Sequence, residues 1–152
     1  MKIIIALWHT GNKGKTKTLI ELGNLLLIES TILYCNNPID ENKKLSKNED
    51  FTLVVELSEK RICITSKGDP NSELKKRLQD MINDYNVDYL FCATRTKGET
   101  VSDIYNVSAL NDYEILWTST YHSDNEKDTD FFNELKAKHL LDMLKELISR
   151  GK

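Results

Sequence analysis

The chain has 152 residues, of which 30% are charged, and a formal net charge of -3. That length suits one domain burying roughly two-thirds of its unfolded surface, with no need of a disulfide staple. The charge balance excludes a general attraction to nucleic acid, and the apolar runs are too short to span a membrane.

Residues 2–8, KIIIALW, form an apolar run of strand length, the pattern of a strand covered on both faces. The spacing of Leu19, Leu22, Leu25 and Leu26 predicts a helix from Lys15 to about Ile28. STILYC at 30–35 reads as a short strand. The polar segment 36–50, NNPIDENKKLSKNED, has no clean period and reads as an exposed excursion able to order on a ligand. FTLVVEL and KRICITS are two β-rich runs separated by Ser58 and Glu59, which predicts a hairpin and one antiparallel edge strand.

Asp69 and Pro70 then open a helix that carries Leu74, Leu78, Met81 and Ile82 along one face. VDYLFCAT predicts a strand, TVSDIYNVSAL a short helix, YEILWTSTY a strand, and residues 128–150 a long amphipathic helix. Strands alternate with helices almost throughout. The fold expected is therefore a three-layer α/β sandwich with a mainly parallel sheet, forming one domain over residues 1–152.

The three cysteines, Cys35, Cys63 and Cys92, are isolated, and the last two fall inside apolar runs where a thiol is a small buried hydrophobe. No CxxC pair, zinc spacing or secretory signal is visible, so the expected compartment is a reducing cytoplasm.

The junction between the first strand and the first helix carries the chemistry. A short loop there points backbone N–H groups and the positive end of a helix dipole at one place, which favours an anion. Gly11 and Gly14 let the backbone approach phosphate oxygens closely. Lys15 can reach β and γ phosphates, and the Thr16 hydroxyl can join a magnesium shell. A polar turn with no ligand is the alternative reading of the same residues.

The stretch HTGNKGKT, His9 to Thr16, resembles the Walker A motif of P-loop nucleoside triphosphatases and kinases. The usual pattern is Gly, four residues, then Gly-Lys-Ser/Thr, and His9 stands in place of the first glycine. The form is also similar to the KGGxGKT version of partition-type ATPases, but Thr10 and Asn12 replace its extra lysine and second glycine, so that subgroup is not assigned. The resemblance implies a P-loop fold in which Gly11, Asn12, Lys13, Gly14, Lys15, Thr16 and Lys17 hold the phosphates of ATP or GTP, with Mg2+ on Thr16.

Ligands of parallel α/β sheets collect at the carboxyl ends of the strands. Asp69, in SKGDP, is the acid expected beside magnesium, with helix capping as its other role; Glu56 is the rival acid. Ser66 can contribute through water. Arg95, after LFCAT, is read either as the cation that offsets charge in phosphoryl transfer or as a surface charge. Lys97 and Thr100 are weaker companions, and Thr100 with Asp103 also fits a helix cap.

His122 with Asp124 is a second-rank substrate contact, while His139, Trp8 and Trp117 are read as packing or surface residues. The expected function is nucleoside triphosphate binding, ATP ahead of GTP, with phosphoryl transfer as a small-molecule kinase or hydrolase. The alternative is a nucleotide-dependent switch or a degenerate P-loop module. The acceptor, small molecule or protein, is not named by the sequence; nucleic acid is an unfavoured partner and a membrane is excluded.

Overall fold

The computed structural model describes residues 1–10, 14–67 and 73–152. Among the described residues, six strands and four α-helices follow one another: β1 (Ile3–Trp8), α1 (Lys15–Glu29), β2 (Thr31–Cys35), β3 (Thr52–Leu57), β4 (Lys60–Thr65), α2 (Leu74–Tyr85), β5 (Tyr89–Thr94), α3 (Glu99–Asn111), β6 (Glu114–Thr118) and α4 (Thr129–Ser149). They form a single sheet in the order β2-β3-β4-β5-β1-β6. β1 lies parallel between β5 and β6, and β4 lies parallel to β5. Only β3 is reversed, antiparallel to both β2 and β4.

Side-chain alternation along the central strands builds a layer on each face. Ile3, Ile5 and Leu7 of β1 pack with Leu19, Leu22 and Leu26 of α1 and Ala137, Leu140 and Leu144 of α4. Ile4 and Ala6 point the other way, toward Leu74 and Leu78 of α2 and Ile104 and Val107 of α3. The result is the expected α/β sandwich with helices on both faces. Each fully buried Leu or Ile contributes about 1.5–3 kcal/mol relative to exposure, so the two faces of β1 anchor both layers.

The hairpin forms where the sequence places it. Ser58 and Glu59 take φ of 51° and 65°, the doubly left-handed geometry of a two-residue turn that matches strand twist. Its reversed strand is not the edge, however, because β2 pairs along the outer side of β3. β2 instead carries the exposed pattern of an edge, with Ile32 and Leu33 open to solvent.

The 36–50 segment is more firmly held than expected for an exposed excursion. The Asp40 carboxylate accepts the Asn42 and Lys44 amides at 2.9 Å each, and Ile39 bridges Leu45. The Leu45 amide donates to Asn24 Oδ1 at 2.9 Å, and its buried side chain packs where Gly23 leaves room. One leucine in a polar stretch, seated on a glycine of α1, adds a buried apolar contact to these hydrogen bonds.

Candidate functional site

The carboxyl ends of β1, β4, β5 and β6, and the start of the reversed β3, share one edge of the sheet. α1 begins there. Its N-cap is Gly14 at φ +80°, and the Gly14 carbonyl accepts the Thr18 amide at 2.9 Å as the first helical bond. A Cβ on residue 14 would stand 2.6 Å from Asn133 Oδ1, so both the backbone and the neighbour require glycine.

Lys15 is 8% exposed, and its ammonium does not reach toward solvent. Nζ donates to the carbonyls of His9 at 2.7 Å and Thr94 at 2.6 Å, clasping the ends of β1 and β5. A positive charge is thereby fixed at the mouth of the two central strands.

Thr16 lies beside an acid that sequence reasoning missed. Its hydroxyl donates to Asp50 Oδ1 at 3.2 Å, and the Ser66 hydroxyl donates to the same oxygen at 2.8 Å. Ser66 Oγ also accepts the Phe51 amide at 2.9 Å, and Asn37 Nδ2 donates to the Asp50 carbonyl. Asp50 lies two residues ahead of β3, and because β3 runs backwards its start arrives at the site edge. The signal was the hairpin itself: an acid just ahead of a reversed strand must sit where the parallel strands end.

Arg77 is the second residue the sequence reading overlooked. Nε donates to Thr65 Oγ1 at 3.0 Å, and Nη2 donates to the Lys67 carbonyl. Burial pulls its guanidinium below the ordinary arginine range, with Asp50 opposing that shift. Its signal was position on α2: residues 74, 77, 78 and 81 form one helical stripe, so Arg77 belongs to the face that packs on the sheet.

Of the residues expected at the site, Gly14, Lys15 and Thr16 meet at the start of α1. Lys17 is exposed one residue further on. Arg95 is half-buried at the end of β5, where its amide donates to Thr100 Oγ1 at 3.1 Å. Thr100 therefore fixes the Arg95 loop; the residue at the N-cap of α3 is Gly98. Lys97 is exposed. Gly11, Asn12, Lys13 and Asp69 lie outside the described residues.

Glu56 is removed as a site acid. It pairs with Arg61 at 3.6 Å and stands opposite Thr31, toward the other end of the sheet.

His9, in the place of the first motif glycine, meets His122 from the β6–α4 connection, with ring centroids 5.9 Å apart and nearly edge-on. His122 Nε2 lies 3.7 Å from Asp124. His139 accepts or donates a 2.8 Å hydrogen bond with Tyr121 on α4's side of the fold. Trp8 is 41% exposed, and with Thr96, Val101, Tyr105 and Trp117 it lines a slot of about 240 Å³ on the α3 side of the same edge. The tryptophans thus bound a cavity in addition to ending strands.

Among the described residues, no group of three His, Cys, Asp or Glu side chains is placed to hold a metal ion. Thr16, Asp50 and Ser66 do bring three oxygen donors together, a set suited to a hard cation that takes the rest of its shell from phosphate and water. Among the described residues, no helix is long and apolar enough to cross a membrane. Compared with protein-family models, curated protein sequences and solved structures, the chain matches none.

Proposed function

We propose that this chain binds a magnesium–nucleoside triphosphate, ATP ahead of GTP, at the β1–α1 junction and transfers the terminal phosphoryl group to water or to a small acceptor. The observation that carries the reading is the placement of Lys15, a nearly buried ammonium held at 2.6 and 2.7 Å by the carbonyl ends of two central strands, directly after a left-handed Gly14. Buried lysines are costly unless compensated, and this one stands at a helix N-terminus, where the dipole adds to its attraction for an anion.

Thr16 and Asp50 would hold magnesium, directly or through water. Loop amides and Lys15 would hold the β and γ phosphates, and Arg95 would offset charge gathering on the transferred group. Such a site lowers a barrier by fixed electrostatics and positioning rather than by covalent chemistry. The slot behind Trp8, Tyr105 and Trp117 is the side on which a small acceptor would approach. The three unpaired cysteines fit work in a reducing cytoplasm.

One observation favours a second reading, a nucleotide-dependent switch. Asp50 ends the 36–50 segment and is already bonded to Thr16, so exchange of that contact for a metal would pass directly to the segment.

The test is magnesium-dependent binding of ATP, GTP, their diphosphates and plain phosphate to the native chain and to Lys15→Ala. Loss of triphosphate binding in a folded Lys15→Ala supports the site; unchanged binding overturns it. Turnover with and without acceptors then separates transferase from switch.

A further inference from the structure

A polar groove of about 230 Å³ opens between the first turn of α1 and the first turns of α4. Lys17, Glu21, Lys47, Asp130, Asn133 and Glu134 line it. It starts where the loop ends: Gly14 abuts the Asn133 amide, and Lys17 follows Thr16 directly.

Asn133 is the unusual member. It is 3% exposed, and its Oδ1 accepts the Thr18 hydroxyl at 3.3 Å. Among the described residues its Nδ2, a buried atom, has no hydrogen-bond partner, and the side chain lines the groove. A buried amide donor left unpaired is costly in a native fold and calls for an acceptor that arrives from outside the chain.

The rest of the lining says what that acceptor belongs to. Burial, then Glu134, raise the Glu21 carboxyl above its usual range, with Asp130 adding and Lys44 and Lys47 opposing. Three carboxylates repel a phosphate, so the groove does not extend the phosphate site. Two lysines and an amide donor argue against a bare cation. Among the described residues of the lining Ile20 alone is apolar, and it offers no plate for a flat aromatic ring. Hydroxyl groups satisfy every member, since each can donate to a carboxylate while accepting from an amide or ammonium.

We infer that this groove holds the vicinal diol of the nucleotide's ribose, with Asn133 donating to one hydroxyl and Glu21 and Glu134 accepting from the pair. The inference rests on the nucleotide reading above, and the experiment separates the two. Isothermal titration with magnesium is run with ATP, with 2′,3′-dideoxy-ATP and with inorganic tripolyphosphate on the native chain, Glu134→Gln and Asn133→Leu. Glu134 is exposed, so its variant keeps the fold even if Asn133→Leu does not.

The expected result is ATP binding about tenfold tighter than the dideoxy analogue, the size of one good polar contact set. Glu134→Gln should close most of that gap and leave tripolyphosphate affinity unchanged. Equal affinity for ATP and its dideoxy analogue, or a gap that survives in Glu134→Gln, overturns the ribose assignment while Lys15-dependent tripolyphosphate binding leaves the phosphate site standing. Failure of both ATP and tripolyphosphate to bind the native chain overturns both.

Discussion

Replacing Gly14 by alanine probes the tightest contact of the candidate site. Gly14 sits at φ +80°, and the added Cβ would lie 2.6 Å from Asn133 Oδ1 and 3.4 Å from its Cγ. A left-handed backbone costs alanine about 1–2 kcal/mol. The Asn133 amide is buried and bonded to Thr18, so it yields only by giving up that bond, a further loss of about 0.5–1.5 kcal/mol. The combined cost is about 1.5–3.5 kcal/mol, which lowers Tm by about 3–14 °C in a chain of this size.

Chemical and thermal unfolding followed by circular dichroism measure it. A double-mutant cycle isolates the contact: in an Asn133→Ala background the same alanine should cost only its backbone part, leaving a coupling of about 0.5–1.5 kcal/mol. Equal costs in the two backgrounds would refute the claim that Asn133 is what excludes a Cβ at residue 14.

Four further outcomes are expected. Ser58→Asn with Glu59→Gly supplies the residues that favour the observed left-handed turn and should raise stability by about 0.5–2 kcal/mol in a denaturant melt; no gain, or a loss, contradicts the turn geometry. Asp50→Asn keeps the shape of the Thr16–Asp50–Ser66 cluster but removes its charge, so the magnesium dependence of nucleotide binding should fall by about tenfold or more while the fold persists. Burial pushes the Cys63 thiol from 9.0 to about 12 and moves Cys92 upward as well, so Cys35 alone should react with a thiol reagent at pH 8 in the native chain. The same shifts make the unfolded state lose its thiol protons first. Stability should be untouched by these groups below pH 9 and fall as pH rises toward 12, by at most about 1.4 kcal/mol per pH unit for each thiol, as pH-dependent urea midpoints can record.

Most of the architecture was legible because the central strands carry uninterrupted apolar runs and the helices carry clear stripes. Residues 2–8 carry the pattern of a strand covered on both faces, Leu19, Leu22 and Leu26 recur at helical spacing, and the two pack together as that pattern predicts. The position of the reversed strand was not legible. Pairing of β2 outside β3 is decided by main-chain bonds between segments separated by residues 36–50, and side-chain pattern does not encode which neighbour takes an open edge. Lys15 and Thr16 were readable from local spacing, whereas Asp50 depends on the direction of β3. Arg77 was overlooked because a charge on an apolar stripe looks like a surface residue until the sheet end beneath it is known. Asn133 gave no sequence signal: it is one polar residue in a long amphipathic helix, and only the crossing of α4 beside Gly14 makes it part of the loop.

The tethering of Lys15 bears on which anions the site can hold. Its ammonium has already exchanged water for two main-chain carbonyls, and hydrogen bonds made by a charged group are each worth about 1.5–3 kcal/mol. An anion that draws the ammonium outward must exceed that. Plain phosphate, meeting one helix N-terminus, gains about 0.3–1 kcal/mol, at most about 2, and leaves the tether in place. A polyphosphate spreads its charge over the loop amides, Lys15 and a metal on Thr16 and Asp50, and so can outbid the carbonyls. Affinity should therefore climb steeply from phosphate through diphosphate to triphosphate, and only the longer species should depend on Lys15. A flat series, equally insensitive to Lys15→Ala, would mean that this lysine is a pin between β1 and β5 and that anions meet nothing more than the end of α1.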